Sequence, residues 1–350
     1  MSPEPQAPKD GNFPNPSRIM DLATGYWGSA ALLAAVQLQV FDLMADGPQT
    51  ADWLASCLGC NARALGTLLE ALVSLGLLHR YASPSSSDPA QFGNTPDSAS
   101  FLVNSSPAFI GSAILWSAGQ YTAWGNLAAT VKIGEPAVDP AQHLGDNEST
   151  TRTFVIGMNN RAKGVARGVV GFLDLKGCSK LLDVGGGCGA YSVLLAERNP
   201  GLMATVLDLP GIIDVTRDLV SRSPVASQIL LRPGDATKDV YGWDEFDAVL
   251  FSGVLHQMKP DTIRTMLSNA RTALRPGGRV IICDVMLEPD RTGPVFSALF
   301  SLQMLLTSAE GAVFSRAECA GWLTELGFEN INTVVLPAPL PYTVITAFVP

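Results

Sequence analysis

Between Lys180 and Gly201 the chain reads KLLDVGGGCGAYSVLLAERNPG. A short apolar run reaches Asp183, glycines crowd positions 185, 186, 187 and 189, and a helical pattern follows. Glycine has no Cβ and adopts φ > 0 without strain, so such a loop marks a place where a ligand approaches the backbone closely. A phosphate-binding P-loop would continue with Lys and Ser or Thr to reach phosphate and Mg²⁺, and that pair is missing here. A nicotinamide dinucleotide fingerprint is met by Gly185, Gly187 and Ala190, with Asp208 near the spacing expected of a ribose ligand. That match uses few residues, so the rest of the chain has to decide.

Four further features favour S-adenosylmethionine, a nucleoside that carries an ammonium and no phosphate. Asp183 stands two residues before Gly185 and completes D-x-G-x-G-x-G with Gly187 and Gly189. A carboxylate there suits an ammonium better than a pyrophosphate. Asp208, ending the next apolar run in VLDLP, can accept hydrogen bonds from two ribose hydroxyls. Asp235, followed by Ala236 in RPGDAT, ends the third run and offers a polar group for an adenine amino group. The last two strands close the sheet as an antiparallel pair, which the dinucleotide half-fold lacks. Taken singly, each aspartate reads equally well as a helix cap or turn residue. Their order at successive strand ends is what favours the sulfonium nucleoside over the dinucleotide.

The elements that must carry these residues alternate. KLLDV, MATVLDL, QILLRPGD, FDAVLFSGVL and GGRVIICDVML read as strands, with YSVLLAER and GIIDVTRDLVS as helices after the first two. A helix RAECAGWLTELGF and two strands, NINTVVL and YTVITAFV, complete the chain. Strands alternating with helices predict an α/β fold with a mostly parallel, doubly wound sheet. The closing pair, joined only by PAPLP, must be antiparallel, because a parallel return needs a long crossover. Upstream, Ile19 to Leu78 is helical in period, as in ALGTLLEALVSLGLL, and WGSAALLAAVQLQVFDLM is apolar nearly all round. A helix of that kind must be covered by a core or by another subunit. The excursion HRYASPSSSDPAQFGNTPDSASFLV after these helices suits the wing of a winged helix. The expected division is a disordered tail over 1–18, a winged-helix domain over 19–105, a helical connector over 106–172 and a ligand-binding domain over 173–350.

The chain's 350 residues allow ample core, and its net charge of −9 opposes counterion-release binding to nucleic acid, which needs a basic face. The N-terminus lacks an apolar signal region, and the apolar stretches Trp27–Ala45 and Pro294–Ala309 are interrupted by polar residues. No membrane partner and a cytoplasmic location are therefore expected. Cys57 and Cys60 form a C-x-x-C without a second ligand pair, so the expectation there is a helix–turn–helix corner and no metal.

The stretches LLDVGGGCGAYSVLLAERNPGLMATVLDLPGII and FDAVLFSGVLHQMKPDTIRTMLSNARTALRPGGRVIICD resemble the S-adenosylmethionine-dependent O-methyltransferases with an N-terminal dimerisation domain. This is the group of plant caffeic-acid, acetylserotonin and bacterial natural-product enzymes, with a class I methyltransferase (Rossmann-like) seven-stranded sheet. SAALLAAVQLQVFDLMADGPQTADWLA is similar to the family's dimerisation segment, which implies a homodimer. The resemblance implies His256 as general base and Asp284 as its orienting acid. It assigns the cofactor to Asp183, Gly185, Gly187, Gly189, Asp208, Asp235, Ala236 and Ser252. Phe154, Met158, Gln257, Phe300, Met304 and Ser308 fall to a flat aromatic or conjugated acceptor. Three positions depart from the family pattern: Gln257 replaces an Asp, Ser252 a Lys, and Val313 stands where a second acid flanks the base, with Glu310 the nearest carboxylate. The implied activity is O-methylation of a small hydroxyl-bearing metabolite. Methyl transfer to carbon, nitrogen or sulfur, a nicotinamide oxidoreductase and a non-catalytic binding protein stay open as alternatives at this point.

Overall fold

The computed structural model describes residues 14–82, 89–138 and 148–350, with some side chains of the two helices at 111–125 and 148–169 left out. The chain divides into two compact units, Met1–Ala118 and Gly119–Pro350. The tip of the expected wing and most of the expected tail lie outside the described residues.

In the first unit α1 (Ser17–Thr24) and α2 (Tyr26–Gln37) precede β1 (Gln49–Thr50), α3 (Ala51–Leu58), α4 (Ala62–Ser74), β2 (Leu78–Tyr81), β3 (Gln91–Asn94) and α5 (Pro96–Phe101). Thr50 caps α3 by accepting from Trp53 N at 3.3 Å, and Asn61 caps α4 through Ala64 N at 3.0 Å. Between them Gly59 takes φ 63°, which makes the C-x-x-C segment the corner of a helix–turn–helix. The strands form an antiparallel sheet in the order β1-β3-β2. Leu54, Leu69 and Leu72 are fully buried beneath it, whereas Ile19, Leu22 and Trp27 are 70%, 75% and 62% exposed. Those exposures leave an apolar surface without cover in the single chain. Ser17–Gln37 is also long and apolar enough to cross a bilayer by length and composition. Counting unbroken apolar runs missed it, because the segment begins ahead of Trp27 and tolerates scattered Ser and Gln.

α6 (Gly111–Gly125) crosses into the second unit, followed by α7 (Leu127–Ile133) and α8 (Glu148–Val169). Then come β4 (Lys180–Val184), α9 (Ala190–Arg198), β5 (Met203–Asp208), α10 (Pro210–Val220), β6 (Ile229–Pro233) and β7 (Phe246–Ser252). α11 (Pro260–Ala273), β8 (Leu274–Asp284), α12 (Val295–Thr307), α13 (Arg316–Glu325), β9 (Glu329–Val335) and β10 (Thr343–Phe348) complete the chain. The seven strands run in the order β6-β5-β4-β7-β8-β10-β9. Through β8 every pairing is parallel, and β10 is antiparallel to both neighbours. The expected antiparallel closing pair is present, with β10 inserted between β8 and β9.

Both faces of the sheet are covered. Ile263 and Leu267 of α11 and Trp322 and Leu323 of α13 pack on Leu182, Val249 and Ile282. On the other face Ala166 and Val169 of α8, Leu195 of α9 and Ile213 of α10 pack on Leu181, Val206 and Ile281. Strands buried on both faces need near-continuous apolar runs, and KLLDV and FDAVLF supply them. Strand order reverses between β4 and β7, so the loops after them diverge and open a crevice at the strands' C-terminal ends. Replacing the fully buried Leu182 by Ala should leave a cavity at the sheet centre. Urea denaturation should register a loss of about 2–5 kcal/mol.

Candidate active site

The glycine loop leaves β4 with Gly185, Gly187 and Gly189 at φ 65°, 55° and 72°. A side chain at 185 would meet Val254 Cγ2 at 2.6 Å, whereas the Cβ direction of Gly187 is open. Gly185 N donates to Leu207 O at 2.8 Å, and Gly187 N donates to Asp208 Oδ2 at 2.7 Å. Asp208 Oδ1 accepts from Leu209 N at 2.8 Å. Burial lifts the Asp208 carboxyl, and these two backbone bonds pull against that lift. Thr216 of α10 donates to Gly187 O at 2.6 Å and ties the loop to the next helix.

Asp183 is 1% exposed. Its Oδ2 accepts from Ser192 at 2.6 Å, while Oδ1 is buried and has no partner among the described residues. Burial pushes its carboxyl up to about 6, Ser192 opposes, and the charge of Asp208 adds to the rise. A buried carboxylate with one unpartnered oxygen beside an open glycine loop is the environment a cation relieves. Asp235 differs. Its Oδ1 accepts from Thr237 N at 2.9 Å and Thr237 Oγ1 at 2.6 Å, and its Oδ2 pairs with Lys238 at 2.7 Å. Burial raises this carboxyl, but the bonds from Lys238 and Thr237 outweigh it and leave it lowered. Both of its oxygens are engaged within its own turn. Ala236 is partly buried, and its carbonyl accepts from Tyr241 Oη at 2.7 Å. Ser252, at the end of β7, hydrogen-bonds Tyr191 and Cys283, and burial drives both of those groups upward.

His256 sits on a single turn after β7, 12% of its side chain exposed. Its Nδ1 lies 2.7 Å from Asp284 Oδ1, and Asp284 is anchored in turn by Val285 N at 2.8 Å. Nδ1 must carry the proton in that contact when the carboxylate is ionised, so the free lone pair falls to Nε2. The ring meets the edge of Phe300 at 5.0 Å, and Phe296 stacks on Phe300 at 6.0 Å. Met304 is buried one turn further along α12 with Val285, Leu287 and Val313. Val313 therefore fills the place of a second acid with hydrocarbon. Glu310 does not replace it, because it is paired with Lys259 at 2.6 Å on the outside. Ser308 donates to Gln257 O at 3.4 Å, and the exposed Gln257 side chain reaches only its own turn. Phe154 and Met158 are on α8, and their side chains lie outside the described residues.

The structure thus brings Asp183, the glycines and Asp208 together, and His256, Asp284, Phe300 and Met304 together. Ser192, Thr216, Tyr191 and Phe296 were not singled out by sequence reasoning. Only Phe296 carried a signal, at the i−4 position from Phe300. A cavity of about 510 Å³ elsewhere, between α8, α9 and α10, is lined by Arg152, Asn159, Val193, Asp218 and Arg222, and touches neither group beyond Cys188 and Ala190.

Residues 128–329 match the O-methyltransferase domain, and residues 20–104 the O-methyltransferase dimerisation domain. The chain is 31% identical to 3-hydroxy-5-methyl-1-naphthoate 3-O-methyltransferase of Streptomyces sahachiroi, over 93% of this chain and 92% of that protein. It is 30% identical to the tetracenomycin polyketide synthesis 8-O-methyl transferase of Streptomyces glaucescens, over 93% and 94%. Among solved structures, human N-acetylserotonin methyltransferase in complex with SAM superposes with a TM-score of 0.85 at 27% identity, over 97% of this chain and 99% of that one.

Asp183 yields a pH test. Its pKa without ligand, about 6, lies above the ordinary value of 3.8, so the unliganded fold favours the neutral acid and loses stability as pH rises from about 4 to about 6. A bound ammonium favours the carboxylate. Affinity for S-adenosylhomocysteine should therefore rise about tenfold from pH 5 to pH 7 and level off above, measured by calorimetric titration. Asp183→Asn should flatten that profile.

Proposed function

This chain belongs to the S-adenosylmethionine-dependent O-methyltransferases, and we propose that it methylates a hydroxyl on a small, flat aromatic metabolite with His256 taking the hydroxyl's proton. The nicotinamide reading of the glycine loop gives way to S-adenosylmethionine as cofactor. The residues present fit that group. Asp183 offers its unpartnered Oδ1 to a cation, the open side of Gly187 admits a ligand against the backbone, and Asp208 keeps lone pairs for hydroxyl donors. When bound, the cofactor supplies a methyl group already activated on sulfur.

The protein's own task is to align the acceptor, exclude water and receive one proton. A simple phenol has a pKa of about 10 and an imidazole about 6.5 in water, so complete deprotonation before attack is uphill. Nε2 of His256 accepts the proton as the new bond to oxygen forms. Asp284 holds the reactive tautomer in place and stabilises the imidazolium that results. Phe300 and Met304 present an apolar wall on which a planar ring can lie. The observation carrying this reading is the 2.7 Å contact between His256 and Asp284 at the crevice. The names of the bacterial relatives, a naphthoate and a tetracenomycin methyltransferase, support aromatic acceptors of fused-ring type. Replacing His256 by Ala should cut kcat about 10²–10⁴-fold. S-adenosylhomocysteine affinity should stay within about twofold, since the cofactor groups lie on other loops. Undiminished turnover would remove the base.

The dimerisation domain over 20–104 and the exposed Ile19, Leu22 and Trp27 support a homodimer, the apolar helices of one copy covering those of the other. Light scattering at micromolar concentration should give twice the chain mass, and Leu22→Asp with Trp27→Asp should reduce it to the single chain. A single-chain mass for the unaltered protein would defeat this reading.

A further inference from the structure

Thr216 lies in the middle of α10 and is fully buried, in company with Ile212, Ile213, Val215 and Val220 of the same helix. A valine has the same shape, and a hydroxyl buried among hydrocarbon costs free energy unless it is bonded. Two carbonyls lie within reach of it, Ile212 O at 2.9 Å and Gly187 O at 2.6 Å. A hydroxyl has one proton to give. A threonine inside a helix ordinarily returns that proton to the carbonyl four residues back, here Ile212. Ile212 O, however, already receives the helix's own bond from Thr216 N. Gly187 O receives no backbone N–H among the described residues, and it is the nearer of the two. The proton therefore belongs to the loop.

Gly187 is thereby held at both of its polar groups by side chains of one strand–helix unit. Its N–H donates to Asp208 Oδ2 at 2.7 Å, and its C=O accepts from Thr216. Asp208 ends β5, and α10 begins at Pro210. The helix bears directly on the loop: a Cβ at Gly189 would stand 3.4 Å from Thr216 Cγ2 and 3.2 Å from Val220 Cγ2. Gly187 itself takes φ 55°, and nothing lies within 4 Å along its Cβ direction. With glycine's wide conformational range and no packing to limit it, the two hydrogen bonds are what fix this residue. Losing the bond to Thr216 lets the loop turn at Gly187, and Asp208 Oδ2 then loses the N–H that aims it.

We propose that Thr216 is a positioning residue for the cofactor: through Gly187 it sets the orientation of the Asp208 carboxylate toward the ribose hydroxyls of S-adenosylmethionine. The inference rests on the assignment of Asp208 to those hydroxyls. Asp208 Oδ1 accepts from Leu209 N at 2.8 Å and Oδ2 from Gly187 N, which leaves each oxygen one lone pair for a ligand donor. A carboxylate serves two adjacent hydroxyls only while its plane is held, because hydrogen bonds weaken steeply with misalignment. Thr216 makes no ligand contact of its own in this scheme. Removing its hydroxyl therefore weakens a nucleoside only where that nucleoside has ribose hydroxyls to present.

Calorimetric titration of the full chain with S-adenosylhomocysteine and with its 2′,3′-dideoxy analogue tests this. The unaltered protein should bind the first at least about tenfold more tightly, because a site built to hydrogen-bond a hydroxyl rejects the analogue lacking it. Thr216→Val should weaken S-adenosylhomocysteine about fivefold and the dideoxy analogue by less than about twofold. Thr216→Ser keeps the donor and should hold S-adenosylhomocysteine within about twofold of the unaltered protein. Thr216→Ala removes the hydroxyl without setting a methyl against the Gly187 carbonyl, and it reads the same selective loss should the valine variant not fold. Equal weakening of both nucleosides by these hydroxyl-free variants would mark a packing role and overturn the proposal. An unchanged preference in them would overturn it as well. Equal binding of the two nucleosides by the unaltered protein would strike down the assignment of Asp208 and the proposal with it, whereas the other two outcomes strike Thr216 alone.

Discussion

The parallel register between β7 and β8 is the constraint on which the chemistry depends. Ser252 lies opposite Cys283, and Gly253 N donates to Cys283 O at 2.9 Å as the chain turns toward His256. Side chains alternate along a strand, so Asp284 faces His256 while Cys283 faces Ser252 and Tyr191 on the other side. A slip of one residue would exchange those two, presenting a thiol to the imidazole and burying a carboxylate against the tyrosine. β10 guards against the slip. It pairs with β8 over six residues, from Thr343 opposite Asp284 to Phe348 opposite Arg279. The antiparallel insertion thus fixes which side chain meets the imidazole of His256.

The glycine loop depends on charge rather than on register. Asp183 and Asp208 are both buried, both are pushed toward the neutral acid, and the charge of Asp208 raises Asp183 further. Asp208 is satisfied by backbone N–H groups and holds the loop in shape without help. Asp183 is only half satisfied, and its free oxygen is an unmet demand written into the fold. A dianionic pyrophosphate would aggravate that demand, and an ammonium meets it. The electrostatics agree with the cofactor of the family and oppose the dinucleotide that the glycine spacing leaves open.

Much of the fold was legible in sequence because the sheet is buried on both faces and its strands must be apolar throughout. KLLDV and FDAVLF could hardly be anything else, and the order of the aspartates followed from where those runs end. The position of β10 was not legible: pattern fixes that the last two strands are antiparallel, but not which of them enters the sheet beside β8. Asp235 shows a second limit. A carboxylate after a strand can serve a ligand, its own turn or both with the same residue, and sequence does not reveal the bonds to Thr237 and Lys238. His256 and Asp284 are 28 residues apart, with no periodicity linking them, so they rested on family resemblance until the 2.7 Å contact was seen. The tie from Thr216 to Gly187 was invisible, since its members are 29 residues apart and the threonine reads singly as a polar interruption of an apolar helix face.

The departure at Val313 has a structural counterpart in how His256 is held. Ala312 N donates to His256 O at 2.9 Å, and the backbone of Gly311 lies so close that a side chain there would stand 2.8 Å from that same carbonyl and from Ser308 Oγ. Segment 308–312 thus presses on the turn carrying His256 through its main chain. The Lys259–Glu310 pair across the outside is half exposed and screened by water, so it contributes little to this hold. Backbone contacts can fix where an imidazole sits, but they cannot share the positive charge it acquires. Among the described residues Asp284 is the one carboxylate in contact with the imidazole, and an imidazole with one counterion gains less from protonation than one with two. If His256 takes the acceptor's proton as proposed, the stabilisation that a second acid would have given has to be supplied elsewhere, and an acceptor more acidic than a simple phenol would supply it.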